Sequence, residues 1–216
     1  NLHLHSKYSR AVSSSMILPV METFAMQKGI DILTASDWTH PIWFKEIQNQ
    51  LEEAGEGVYK LKTENLKPKK EVLFLLSTEI SSIYKEAGKL RRIHNLIFVP
   101  SIEIAEKISK ELIKRGYNLS ADGRPIVGLS SRNLLEMILS IDERCLLIPC
   151  HVWTPHFGVY GSKSGYDSLQ EAFGDLSPYV FGIETGISSD PEMNWRIPEL
   201  ANRSILSFSD AHSAPN

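Results

Sequence analysis

The sequence predicts an α/β protein in which strands and helices alternate around a barrel. Short apolar runs alternate with segments whose apolar residues recur at helical spacing, seven or eight times within 216 residues. Candidate metal ligands recur where the predicted strands end, as in a βα barrel whose active site lies at the carboxyl ends of its strands. The sequence contains no internal repeat and no domain linker. Residues 1–216 are therefore expected to form one domain.

The composition is that of an ordinary globular protein, with 42% hydrophobic and 23% charged residues. No apolar run reaches the roughly 18 residues of a membrane helix, and no signal peptide opens the chain, so we expect a cytoplasmic protein without a membrane partner. Cys145 and Cys150 are interpreted as reduced core thiols. The net charge of -3 argues against a general nucleic-acid binder but allows an enzyme with locally basic surfaces.

The first six residues carry the first candidate ligands. His3 and His5 alternate with Leu2 and Leu4, so on a strand both imidazoles would face one side. Two histidines placed in this way form half of a site for a divalent metal. A strand with a polar face and no ligand is the alternative. Because the chain opens on this stretch without Met and stops soon after its last candidate ligands, we expect a fragment of a longer protein.

Two predicted helices of the first half have clear boundary residues. Gly29 ends the first helix, and Pro41 starts the second, because proline is tolerated at the first position of a helix. In order, the predicted elements of the first half are a helix capped within Ser13–Ser15, a strand at Ile30–Leu33, a helix from Pro41 to about Leu51, a lysine-rich loop at Tyr59–Lys70, a strand at Val72–Leu76 and a flap or turn at Ser81–Leu90.

The second half continues the alternation and contains one long loop at residues 151–166. Long ordered loops in compact domains are usually functional. The other elements are a strand at Arg91–Val99, a helix from Ser101 to Gly116, a short strand at Ile126–Val127, a helix at Ser131–Ile141, a strand at Leu146–Cys150, a helix after Asp167–Ser168, a strand at Val180–Thr185, a short helix within Asp190–Asn202 and a strand at Ile205–Phe208.

Three groups of candidate site residues follow from these placements. The metal-ligand candidates are His3, His5, Asp37, His40, Glu79, His94, His151, Asp210 and His212. The candidate phosphate contacts are Lys7, Arg10, Arg91, Arg92 and Lys163, although solvated turns or surface ion pairs would equally explain them. The aromatic residues Trp38, Trp153, Phe157 and Tyr160 are candidates for stacking on a base, and each is as readily explained as core.

The ordered ligand positions resemble those of the polymerase and histidinol phosphatase (PHP) domain. The segments HSKYSRA, SDWTHPIWF, RIHNLI, GSKSGYDS, ETGISSDPEMNWR and SDAHS are similar to the PHP domain of the endonuclease Q family. That family nicks DNA on the 5′ side of deaminated bases such as uracil and hypoxanthine, and of abasic sites. The resemblance implies a distorted, TIM-like (βα)7 barrel that holds two or three divalent metals.

The resemblance also implies how the ligands would be shared among the metals. One metal would take His3, His5, Glu79 and Asp210, a second would share Glu79 with His94 and His151, and a third would take His40 and His212 with Asp37. Glu79, His5, Asp210 and Arg91 would be the catalytic residues. The chain departs from the family pattern at Asn1, where aspartate is usual, and at Trp38, where many PHP proteins have histidine. The family's downstream cysteine-containing region is absent from this sequence.

These observations predict a metal-dependent phosphoesterase that cleaves DNA containing a damaged base. Metal-assisted phosphoester hydrolysis needs no serine or cysteine nucleophile. Zinc or manganese suits the histidine-rich ligands, and Mg²⁺ suits a carboxylate-rich position. Two alternatives remain open at this point. One is a PHP phosphatase acting on a small phosphomonoester, and the other is an inactive accessory domain stabilised by metal.

Overall fold

The structure, a computed structural model, describes residues 1–62 and 71–215 and divides the chain into two compact units. The first unit comprises Asn1–Thr78, Phe98–Pro125 and Ser209–Asn216, and the second comprises Glu79–Ile97 and Ile126–Phe208. The helices are α1 (Leu18–Lys28), α2 (Pro41–Gln50), α3 (Ile102–Lys114), α4 (Ser131–Ile141), α5 (Leu169–Phe173) and α6 (Pro191–Trp195). The strands are β1 (Ile32–Ala35), β2 (Leu51–Gly55), β3 (Val58–Leu61), β4 (Leu73–Glu86), β5 (Lys89–Val99), β6 (Ile126–Val127), β7 (Leu146–Pro149), β8 (Gly182–Glu184) and β9 (Ser204–Leu206).

In the first unit, β1 pairs in parallel with the first residues of β4, from Ile32 opposite Leu73 to Ala35 opposite Leu76. The hairpin of β2 and β3 is antiparallel and reaches β4 through Tyr59 opposite Phe74. Helix α1 ends at Gly29, whose φ of 71° is the left-handed conformation that glycine adopts without strain. The core of this unit includes the fully buried side chains of Trp43, Ile47, Phe74 and Leu76.

In the second unit, the later part of β4 pairs in parallel with β6, where Ser81 lies opposite Ile126. Strand β5 neighbours β4 and β7 in the sheet order. Helix α4 buries one apolar face that includes Leu134 and Ile138, and the hydroxyl of Ser130 caps its first turn. Strands β8 and β9 form a separate parallel pair.

The mixed α/β architecture with a central sheet is as predicted, but the sheet is not a closed barrel. Its order is β2-β3-β4-β5-β7, and β1 and β6 also pair with β4. Strands β8 and β9 form a second, two-stranded sheet. The predicted (βα)7 barrel is therefore not confirmed. The main reason is that β4 and β5 are joined by a tight turn at Ala87–Gly88, where a βα barrel would have a crossover helix.

Five local predictions were wrong. Ser81–Leu90, predicted to be a flap or turn, contains the end of β4 and the start of β5, and only Ala87–Gly88 form the turn. Leu51 begins β2, so the segment after α2 is a hairpin. The predicted loop at Tyr59–Lys70 contains β3 up to Leu61, and residues 63–70 lie outside the described residues. The opening stretch is a single parallel bridge between Leu4 and Ala211, and no side chain caps α1.

Two further findings concern the cysteines and the helices. Cys145 and Cys150 are both buried, as expected of core thiols. Within residues 1–62 and 71–215, no helix is long and apolar enough to cross a membrane.

Candidate metal centres

The first cluster consists of His3, His5, Asp210 and His212 and lies in the first unit. The bridge between Leu4 and Ala211 holds the two short segments side by side, with the His5 amide donating to the Ala211 carbonyl at 3.2 Å. Because alternate residues of an extended segment face the same side, the residues flanking each bridged position point together. The backbone therefore brings the cluster together from opposite ends of the chain.

One carboxylate oxygen is the centre of the first cluster. Asp210 Oδ1 lies 3.0 Å from His5 Nε2, 3.5 Å from His3 Nε2 and 3.8 Å from His212 Nδ1. Ligands of a tetrahedral metal with bonds of about 2.0–2.1 Å stand roughly 3.3 Å apart. The separations around Asp210 agree with that value, so these residues fit a transition metal. The two residues His3 and His5 are fully buried, whereas the Asp210 side chain is 34% exposed, which leaves an open side.

Asp37 lies behind His5 and orients its ring. Its carboxylate is 3.2 Å from His5 Nδ1 and accepts hydrogen bonds from the Ser6 amide at 2.6 Å and the Ser9 hydroxyl at 2.7 Å. Burial would raise the pKa of the Asp37 carboxyl, but the charge of His5 and these hydrogen bonds outweigh burial and hold the pKa below its usual value. A carboxylate behind a metal-binding histidine fixes the ring so that the other nitrogen faces the metal. The geometry gives Asp37 this orienting role, and its predicted role as a ligand stays a prediction.

His40 caps helix α2. Its Nδ1 accepts a hydrogen bond from the Trp43 amide at 3.4 Å, and its ring stacks on Tyr8 with centroids 4.4 Å apart. Burial lowers the pKa of the His40 imidazole, and a hydrogen bond with the Ser120 backbone partly opposes this effect. The structure places His212 beside His5 and Asp210. The grouping of His40 with His212, which the resemblance implies, stays a prediction.

The second cluster consists of Glu79, His94, Cys150 and His151 and lies in the second unit. Glu79 Oε1 is 2.5 Å from His94 Nδ1, 3.0 Å from His151 Nε2 and 3.5 Å from Cys150 Sγ. Glu79 lies within β4 and His94 within β5, and the Cys150 amide donates to the His94 carbonyl at 3.2 Å. A buried carboxylate, two imidazoles and a thiol are a ligand set that suits zinc. The residues present could therefore hold a metal ion.

Glu184 supports the second cluster from β8. Its Oε2 accepts a hydrogen bond from the His151 amide at 2.8 Å, and its carbonyl accepts one from Val152 at 3.1 Å. His151 has a φ of 34°, a conformation that a residue with a Cβ adopts only when neighbouring contacts hold it. Glu184 and Cys150 were missed as site residues. Both stand at the end of a strand, the same signal that identified His151.

Gly186 provides a test of the second cluster. A Cβ added at Gly186 would lie 2.5 Å from the His151 Cβ, whereas one added at Gly88 would meet nothing within 4 Å. Both glycines have positive φ, so substitution by alanine would strain the backbone to a similar degree at each position. We expect Gly186→Ala to cost about 1–3 kcal/mol of stability beyond Gly88→Ala, because of overpacking. Thermal unfolding of the two variants measures the difference, and equal losses would contradict the close contact.

The predicted phosphate contacts differ in their exposure and in their ion pairs. Lys7 pairs with Glu46 at 3.0 Å. Arg10 and Lys163 are exposed and Arg92 is half-buried. Trp153, predicted to stack on a base, donates its indole hydrogen to Asn194 at 2.9 Å.

Arg91 is held by the loop that follows the second cluster. Its guanidinium donates to the Gly165 carbonyl, lies over the Tyr166 ring at 3.8 Å and reaches Glu171 at 3.5 Å. These contacts tie residues 165–171 to β5. The structure thus places Arg91 in a supporting position, and its predicted catalytic role stays a prediction.

Sequence comparisons find two curated relatives, and no family model matches the chain. An uncharacterized protein of Bacillus subtilis, YqxK, is 32% identical over 192 residues, which are 86% of this chain and 45% of that protein. An uncharacterized protein of Methanocaldococcus jannaschii is 28% identical over 155 residues, which are 72% of this chain and 16% of that protein. The chain thus spans less than half the length of either relative.

Two solved structures share the fold at 29% sequence identity. One is the lesion-specific endonuclease PfuEndoQ of Pyrococcus furiosus, with a TM-score of 0.83 over 99% of this chain and 48% of that one. The other is endonuclease Q in complex with a 27-mer duplex carrying an abasic lesion at the active site, with a TM-score of 0.84 over 99% and 49%. PsfC of Pseudomonas syringae, at 16% identity and a TM-score of 0.58, shows a likeness of fold alone. The structural likeness to endonuclease Q covers nearly the whole chain.

Proposed function

We propose that this chain is the nuclease part of a metal-dependent DNA endonuclease of the endonuclease Q kind, with a domain of PHP type. The observation that carries the proposal is that each unit surrounds one carboxylate oxygen with three metal-ligand atoms, at Asp210 and at Glu79. Likeness to a lesion-specific endonuclease over 99% of the chain supports DNA as the substrate. The proposed reaction cleaves the phosphodiester 5′ of a deaminated base or an abasic site.

The proposed cofactors are two or three divalent ions, from zinc, manganese and magnesium. His3, His5, Asp210 and His212 would hold one ion, and Glu79, His94, Cys150 and His151 would hold another. When bound, such ions lower the pKa of water and neutralise charge on a phosphate that is being cleaved.

The chain's own residues would orient the ligands and the substrate. Asp37 holds the His5 ring in place, and Glu184 does the same for the His151 backbone. The partly exposed Asp210 leaves an approach for a phosphate. Lys7, Arg10, Arg92 and Lys163 are the proposed phosphate contacts, and Trp153 is a proposed contact for a base.

The activity is tested on four DNA duplexes: undamaged, and with a single uracil, hypoxanthine or abasic site. We expect nicking 5′ of the lesion in the presence of Mn²⁺, Zn²⁺ or Mg²⁺, and little cleavage of undamaged DNA. Binding should weaken steeply with salt, because each neutralised phosphate releases counterions. Brisk hydrolysis of a small phosphomonoester, together with nicking that ignores the lesion, would contradict the proposal and favour a phosphatase.

A further inference from the structure

Ile187 is a large apolar residue whose side chain is fully exposed. Its relative exposure is 102%, above that of every other exposed large hydrophobic residue in the described part of the chain. The next most exposed in the same unit are Trp195 at 66% and Ile126 at 62%. A single exposed apolar side chain is common at protein surfaces. The significance of Ile187 therefore lies in its position next to a candidate metal ligand.

The position of Ile187 connects it to the second cluster. It directly follows Gly186, whose added Cβ would be 2.5 Å from the Cβ of the candidate ligand His151. Consecutive Cα atoms are about 3.8 Å apart, so Ile187 stands one residue from this contact. A nucleic-acid strand whose phosphate reaches His151 would therefore pass close to the turn that carries Ile187.

The turn that presents Ile187 is held on several sides. Ser189 donates to the Thr185 carbonyl at 3.0 Å, and Asn194 donates to the Ser189 hydroxyl at 3.0 Å. The hydroxyls of Thr154 and Ser188 are 3.4 Å apart, which ties the turn to the loop after the second cluster. A turn held in this way is preorganised, so little backbone freedom is lost when Ile187 binds a partner.

We propose that Ile187 is a wedge that enters the base stack of DNA at the lesion, an inference that rests on the proposed nuclease function. Apolar side chains that enter DNA between base steps unstack them, and isoleucine is one of the residues used for this purpose. A missing base leaves a gap whose walls are the apolar faces of the neighbouring bases. For a deaminated base that is still paired, Ile187 would fill the space that the base leaves when it is displaced from the helix.

Nucleic acid fits the surroundings better than a protein partner does. The loop tied to Ser188 through Thr154 also carries the exposed Lys163, whose amide donates to the Pro155 carbonyl at 2.9 Å. An apolar residue on one segment and a cation on the loop tied to it suit a DNA strand, which combines stacked bases with a charged backbone.

The wedge is tested with Ile187→Ala and the matched control Ile126→Ala, an exposed isoleucine in the same unit. Nicking is measured on uracil paired with adenine and on uracil in an unpaired bulge of the same sequence. We expect Ile187→Ala to slow nicking at least tenfold on the paired substrate and less than twofold on the bulge, where no pair must be opened. The control should change neither rate by more than twofold.

A second readout follows base unstacking without cleavage. With 2-aminopurine beside the lesion, binding of the Glu79→Gln chain should raise the fluorescence, and Ile187→Ala added to that chain should remove the rise. Equal slowing on both uracil substrates, or no slowing on either, would overturn the wedge while leaving the nuclease intact. If the unaltered chain nicks no lesion, the proposed function itself fails and the wedge fails with it.

Discussion

Glu79→Gln is expected to lower lesion-directed nicking by more than about a hundredfold, a rise of roughly 2.7 kcal/mol in the barrier. Glu79 is almost completely buried, and its Oε1 faces His94, His151 and Cys150. Glutamine keeps the shape of this side chain but removes its negative charge. A metal held by two imidazoles, a thiol and a neutral amide would be bound more weakly, and the charge felt by the substrate would change.

The matched control for this variant is Glu136→Gln on α4. Glu136 is 59% exposed in a surface ion pair with Arg132 at 3.3 Å, a kind of interaction that contributes little to stability. Circular dichroism and thermal unfolding should show both variants folded, and the control should keep full activity. A folded Glu79→Gln variant within tenfold of the unaltered rate would contradict the assigned role.

The double variant His3→Ala and His5→Ala is expected to remove the metal of the first cluster and to lower nicking at least about a hundredfold, roughly 2.7 kcal/mol of barrier. Both imidazoles face Asp210 Oδ1. The double variant removes both of them and leaves only Asp210 and His212 in the first cluster. Two adjacent ligands hold a transition metal far less well than four do. Elemental analysis after desalting should show about one ion fewer per chain.

His156→Ala is the control for metal content. His156 is exposed and belongs to neither cluster, so its loss should leave the bound metal unchanged. If the double variant kept as much metal as the His156 variant, the first cluster would not be a metal site.

Elements with a clear amphipathic pattern and a cap could be predicted from the sequence. Helix α3 begins after Ser101, whose hydroxyl accepts from the Ile104 amide, and it buries Ile108 and Leu112 as its spacing predicts. The pairing of β4 with β5 could not be predicted, because β4 changes from an apolar run to the buried polar residues Ser77–Glu79. Polar side chains that line a site interrupt the apolar pattern that identifies a buried strand.

The candidate ligands could be found because most follow predicted strands, but their grouping could not. The prediction that Glu79 follows the end of a strand was wrong, because β4 continues through it to Glu86. His3 and Asp210 are 207 positions apart and meet through one backbone bridge at Leu4 and Ala211. His40 also caps the helix that starts at Pro41, a second role that its residue type did not indicate, and its role as a ligand stays a prediction. Cys150 was interpreted as core because a buried thiol and a ligand thiol look alike in sequence.

The most direct test of the account is to remove the metal and return it while following nicking of a uracil-containing duplex. The chain stripped by a chelator should be inactive. Activity should return with added Mn²⁺ or Zn²⁺ and reach its maximum when at least two ions are bound per chain, one for each cluster. The Glu79→Gln chain should stay inactive at every metal concentration. Lesion-directed nicking by a chain shown by elemental analysis to hold no metal would contradict the account.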